Sequence, residues 1–216
     1  MILFMELMRF DVAWASLLSW LAIPEEEAWP LRGEILTQYG QPDRAYHTLA
    51  HALRVLRDVK QFAHWWGIDD YGAVQFAALL HDVVYDTHRR DNEERSAEFT
   101  VWWGRQLGVA PEVYIQAAEI IRATQSHAPA ISADTRLVLD SDLLILASSH
   151  AEYETYRQAI RREFGWVPEP EWNSGRRRVL EGFLERDQIY QTPALSKVLE
   201  APARANLRRE LSRLPG

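Results

Sequence analysis

The chain contains no cysteine. That excludes a disulfide framework, a thiolate metal site and a cysteine nucleophile, and it fits a reducing compartment. Lysine is nearly absent: Lys60 and Lys197 are the two, so almost all positive charge is arginine. Genome composition is a sufficient cause. No apolar run is long enough to span a bilayer. Met1 to Phe10 is apolar, but Glu6 and Arg9 interrupt it, and no basic start or small-residue cleavage site stands out. The expectation is a soluble, cytoplasmic protein without membrane association. Sustained period-two alternation, internal repeats and low-complexity tracts are also missing.

What is present is helical patterning over most of 216 residues, 47% of them apolar, enough for a sizeable core. The nine tryptophans should serve core edges and pocket walls, because a buried indole N–H needs a partner. A net charge of −7 argues against affinity for nucleic-acid polymers but not for a small anion. Phe4, Leu7, Met8, Val12, Leu17, Leu18 and Leu21 give a first helix that Pro24 ends. A second is expected from about Trp29 to Gly40, with Pro30 in its first turn. Pro42-Asp43 should open a long third helix that runs to about Gly67. Asp69 or Asp70 caps the next, and Asp91 or Asn92 the one that stops at Gly108. Pro111 begins a helix that ends near Ser126-His127, and Asp134 opens another. Ser149 and Glu152 form a capping box. Val167-Pro168-Glu169-Pro170 is the stiffest break, and a last helix spans about Ala203 to Leu214. The expected fold is a single all-α domain over 1–216, with 170–216 as a C-terminal helical lobe. A homodimer is open.

Three stretches carry chemistry. His47 and His51, four apart, would share a face if helical. His81-Asp82 directly follows the apolar run Phe76 to Leu80, and a carboxylate so placed is costly unless it is paired or bound to a cation. Adjacent helical residues point about 100° apart, so the pair can grip one ion only close to the backbone. Asp140 and Asp142 interrupt the apolar stretch from Leu137 to Leu146. The pattern makes Asp142 the more deeply placed. Two histidines and two aspartates make a mixed nitrogen and oxygen site, which suits Mn, Fe, Co, Ni, Mg or Zn and selects none of them.

The order His … His-Asp … Asp on a helical chain resembles the HD superfamily of metal-dependent phosphohydrolases. Tyr46-His47-Thr48-Leu49-Ala50-His51-Ala52 is similar to a segment of cyclic-nucleotide phosphodiesterases. Leu80-His81-Asp82-Val83-Val84-Tyr85-Asp86 with Asp91-Asn92-Glu93-Glu94-Arg95-Ser96-Ala97 resembles a little-characterised bacterial branch of predicted HD phosphohydrolases. Arg178-Val179-Leu180, Phe183-Leu184, Arg186, Ile189-Tyr190, Thr192 and Ala203 to Leu207 resemble that branch too. The resemblance covers about Pro42 to Leu211 and implies an HD-type helical bundle. It makes His51, His81, Asp82 and Asp142 the metal ligands and His47 the acid that protonates a leaving oxygen. Thr48 stands where the phosphodiesterases have Asn, and Tyr85 where they carry a further His. This implies one metal ion rather than two. No Gly-Tyr-Pro element follows, so hydrolysis of cyclic dinucleotides has no support.

The activity so implied is hydrolysis of a small phosphorylated metabolite, a nucleotide or other phosphomonoester, by metal-activated water. Asp86 and Glu93, with Glu94 behind them, are the carboxylates that could orient that water. Glu93 and Glu94 also suit a helix N-terminus on dipole grounds alone. His127, Arg89 and Arg122 are candidates for substrate binding, since arginine offers phosphate a two-pronged fork; Arg90 and Arg95 could do the same. Arg176 to Arg178 reads as an exposed helix start. Two rival functions share the scaffold: an iron-dependent oxygenase, and a metal- or nucleotide-binding regulatory module without turnover.

Overall fold

One helix is buried on every side. In α4 (Tyr71–Leu80), each residue from Gly72 to Leu80 is buried. A helix that is apolar all round needs neighbours all round. They are α1 (Ile2–Leu21), α3 (Leu49–Ala63), α5 (Asn92–Gln106) and α6 (Pro111–Thr124). This computed structural model describes residues 2–63 and 67–215, with side chains from residue 5 onward. Ten α-helices and one 3₁₀ turn, Leu143–Ala147, make up the described residues, with no strand among them. The expected all-α class is what the structure has. No helix among the described residues is long and apolar enough to cross a membrane.

The chain divides into two compact units, Met1–Val138 and Leu139–Gly216. The division falls inside α7 (Ala133–Asp142), well before the stiff Val167–Pro170 stretch.

In the first unit, α1 buries Phe10, Trp14, Leu17 and Leu18 at helical spacing. α2 (Glu25–Tyr39) buries Ala28, Leu31, Ile35 and Tyr39. It starts four residues before the expected Trp29. Glu25, Glu26 and Glu27 fill its first turn, where the macrodipole favours acids, and Pro30 is carried inside the helix. α4 starts as expected: the Asp70 side chain accepts from the Ala73 N–H at 2.9 Å. Asp134 reinforces that start, because its two oxygens accept the backbone N–H groups of Asp69 and Asp70. Gly104 lets α5 and α6 approach. A Cβ there would lie 2.5 Å from the Tyr114 Cβ, which no side chain could tolerate unmoved. His64 lies outside the described residues.

The third helix corrects the sequence reading. It begins at Leu49 rather than at Pro42-Asp43, so His47 and His51 do not share a helix. The cause is local. The His47 carbonyl accepts a hydrogen bond from the Arg44 guanidinium, and the His51 N–H turns to the Thr48 carbonyl instead.

The second unit contains the 3₁₀ turn, α8 (His150–Glu163), α9 (Glu169–Glu185) and α10 (Pro193–Leu211). The capping box of Ser149 and Glu152 opens α8 as expected. α10 starts at Pro193, ten residues before the expected Ala203, and runs through Pro202. The N–H that Pro202 lacks would have faced the Val198 carbonyl, and Val198 is exposed, so water can serve that carbonyl. Buried polar groups tie this unit together. The Arg176 guanidinium grips the Glu210 carboxylate with two bonds of 2.8 and 2.9 Å. The Tyr153 hydroxyl donates to the same carboxylate at 2.6 Å. Arg176 is therefore buried, contrary to the exposed helix start expected of it; the partner 34 residues away was invisible in the local pattern.

Removing one member of this buried pair strands the other. Glu210→Ala should lower the unfolding free energy by about 3–5 kcal/mol. The double variant Arg176→Met/Glu210→Leu should recover most of that loss in denaturant titrations.

Candidate metal centre

The central helix ends at Leu80, and the next two residues form its exit. The His81 N–H still bonds back to Ala77, so the ring projects from the helix end into the buried interior. Its Nδ1 lies 3.0 Å from the Ala78 carbonyl, which makes Nδ1 the donor and Nε2 the nitrogen that carries the lone pair. Asp82 follows. Its Oδ2 stands 3.1 Å from His81 Nε2 and 3.3 Å from His51 Nε2, and the two Nε2 atoms are 3.0 Å apart. Ligands about 2.1 Å from one ion and at right angles are separated by about 3.0 Å. One donor from α3 and two from the exit of α4 are thus spaced as ligands of one ion would be, a His/Asp group that could hold a metal ion.

Electrostatics agree with the geometry. Burial works to raise the Asp82 carboxyl. The imidazoles of His81 and His47 beside it and the hydrogen bond from His51 outweigh it and hold the group well below the usual carboxylate range. The pocket favours an anion at Asp82 and hence a cation beside it.

A clamp the sequence reading did not find positions this group. Arg44 is buried. It donates to the carbonyls of His47 at 2.9 Å, Asp82 at 2.6 Å and Val83 at 2.8 Å. Its guanidinium lies over the rings of Tyr39 and Tyr85. One cation thereby pins the entrance of α3 to the exit of α4. From the other side, the Ser96 hydroxyl bonds both the N–H and the carbonyl of Val84, and the Asn92 side chain bonds both backbone groups of Asp86. The polar loop 85–91 is therefore ordered, as its flanking helices suggested. Nothing local marks Arg44; a lone arginine after Pro42-Asp43 reads as surface.

The remaining candidates fall in distinct places. The His47 ring stacks on Tyr85, centroids 4.2 Å apart, and stands 5.6 Å from the His51 ring. It is half-buried beside the metal group. Asp86 accepts from the N–H and Nδ1 of His88, and those bonds lower its carboxyl below the usual range. Glu93 sits in the first turn of α5, with Gln125 Nε2 3.5 Å from its carboxylate. Arg89 is paired with Asp91, and the exposed Arg122 forks onto Glu94 with two bonds of 2.7 Å. His127 lies two residues past the Gln125 C-cap of α6 with a φ of +48°, donating its N–H to the Ala123 carbonyl. A non-glycine residue held there is uncommon.

In the second unit, Asp140 is fully buried and Asp142 only partly, the reverse of the expected order. The Asp140 carboxylate accepts the N–H groups of Gln191 at 2.8 Å and Thr192 at 2.7 Å. It is an anchor for the entry to α10. Asp142 is the last residue of α7. Comparison of the chain with protein-family models, with curated proteins and with solved structures finds no match.

The Arg44 clamp has a measurable consequence. Arg44→Met would leave three inward carbonyls without their donor and should destabilise the fold by about 3–5 kcal/mol, read by thermal or denaturant melting. Any Zn²⁺ affinity of the His/Asp group should fall with it, because the two segments that carry its donor atoms lose their tie.

Proposed function

We propose that this chain is a metal-dependent phosphohydrolase of the HD type, acting on a small phosphorylated metabolite such as a nucleotide or another phosphomonoester. The observation that carries the reading is the cluster of the buried His51 and His81 with the partly buried Asp82, three donor atoms 3.0 to 3.3 Å apart. Asp142 is proposed as a fourth donor, in line with the motif order in the sequence. A divalent ion at this group would polarise a phosphoryl oxygen and lower the pKa of a bound water.

The chain's own residues supply the rest. His47, stacked on Tyr85 and held through its carbonyl by Arg44, would deliver a proton to the leaving oxygen. The bonds from His88 hold the Asp86 carboxyl below its usual range, so it serves as an acceptor that orients water more readily than as a strong base. Glu93, in the first turn of α5 just after that loop, is the second candidate carboxylate. Arg89 and Arg122 are already engaged by carboxylates, so binding phosphate would require exchange of those partners.

A second reading draws on the donor set itself. Two histidines and one carboxylate also make the facial triad of non-haem iron(II) oxygenases. Dioxygen uptake by the Fe²⁺-loaded protein, with no phosphate release by the Mn²⁺- or Zn²⁺-loaded protein, would favour it.

The primary test joins metal analysis of the purified chain to a screen of phosphomonoesters and nucleotides. Asp82→Ala should lose both metal and activity. His47→Gln should keep the metal and lower kcat by about 10²- to 10⁴-fold. Phosphatase activity that persists in Asp82→Ala after chelation would sink the reading.

A further inference from the structure

The two histidines of the metal group are held in opposite ways. His81 shows its Nδ1 to a carbonyl, so its Nε2 carries the lone pair that a metal needs. His51 shows its Nδ1 to Arg54, with Nη2 at 3.1 Å. A guanidinium can only donate, so this contact makes Nδ1 the acceptor. The proton of the neutral His51 ring then sits on Nε2, the nitrogen that faces His81 and Asp82. Nε2–H can donate to Asp82 Oδ2 at 3.3 Å or to His81 Nε2 at 3.0 Å, which closes the cluster as a hydrogen-bonded set.

We propose that Arg54 is a gate on this metal centre: it holds His51 in the tautomer that cannot ligate, and metal entry requires it to leave the ring. The inference rests on the metal reading above. On binding, the His51 ring stays neutral and its proton moves from Nε2 to Nδ1. An Nδ1–H facing a guanidinium N–H sets two donors against each other, so Arg54 must withdraw. The surroundings offer it places to go. It already donates to the Tyr46 hydroxyl at 2.5 Å. Asp58 lies four residues on, one turn along α3 on the same face, and is buried. The Asp58 hydrogen bonds come from the exposed Arg57 and fall on Oδ1, which leaves Oδ2 able to receive a second guanidinium. The Arg54 charge already acts on that carboxyl, lowering it against the larger, opposite effect of burial. His51, Arg54 and Asp58 thus form a track along one helix face, with the ligand at one end and a landing site for the gate at the other.

Zn²⁺ titration against a competing chelator tests the gate on the full chain. Arg54→Met keeps the aliphatic stem and removes the donor, and it should bind Zn²⁺ roughly tenfold more tightly than the unaltered protein, the lower end of second-shell effects. Affinity equal to or weaker than the unaltered protein overturns the inference and leaves the metal reading standing. Nitrogen NMR of the histidine rings supplies a readout that charge removal alone would not move. In the metal-free protein the His51 proton should be on Nε2, and with Zn²⁺ it should be on Nδ1. An Nδ1 proton in the metal-free protein overturns the inference whatever the variant does. If the unaltered chain takes no Zn²⁺, or Asp82→Ala takes it equally well, the metal reading fails and the gate fails with it.

Discussion

A buried arginine makes the candidate centre possible. Arg44 brings a full charge into the interior and donates to three backbone carbonyls. Those carbonyls belong to the turn before α3 and the turn after α4. Without the clamp, both turns would present unpaired polar groups to a low-dielectric interior, which is costly. With it, the carbonyl of His47 and that of Asp82 are fixed on one cation, and the side chains they carry are brought to one place. Tyr85 fits the same logic, since its ring takes the guanidinium on one contact and the His47 imidazole on another.

The central helix supplies the second constraint. Because α4 is buried along its length, its end cannot wander, and the residues that follow inherit a fixed direction. His81 uses the helix itself, through the Ala78 carbonyl, to set its tautomer. His51 is set by a movable side chain instead. Under the proposed metal reading, one ligand locked and one held by an exchangeable partner would couple occupancy to conformation. Loop 85–91 is fastened beside this centre by Ser96 and Asn92, which turns a polar stretch into an ordered rim.

The second unit shows how motif residues can serve structure. Tyr190 bonds the Leu143 carbonyl, and Asn206 bonds the carbonyls of Leu146 and Ser148. Arg204 reaches the carbonyls of Leu184 and Arg186, while Asp140 and Glu200 take the N–H groups around Ile189 to Thr192. Each answers the same demand: turns and 3₁₀ segments leave backbone groups unpaired, and a side chain must meet them. Polar residues that recur within apolar segments can therefore mark such ties as well as chemistry. Asp140 is the instructive case, because its pattern resembles a ligand's and its oxygens are spent on two amides.

The sequence by itself determined the all-helical class, because periodicity, proline and glycine punctuation, and capping residues such as Asp70 and Ser149 act within a few residues of each other. It also singled out His51, His81 and Asp82, since a histidine and a carboxylate after a buried run are conspicuous wherever the chain goes. Tertiary structure decided what depends on distant partners. It moved the start of α3 to Leu49, because Arg44 captured the His47 carbonyl. It buried Arg176 against Glu210, and it exchanged the depths of Asp140 and Asp142 once two amides 51 and 52 residues away claimed the former. It also set Arg54 against the Nδ1 of His51 and drew on Tyr46 and Asp58 to flank it. Local pattern records which residues are costly to bury; only the fold shows which of them found a partner.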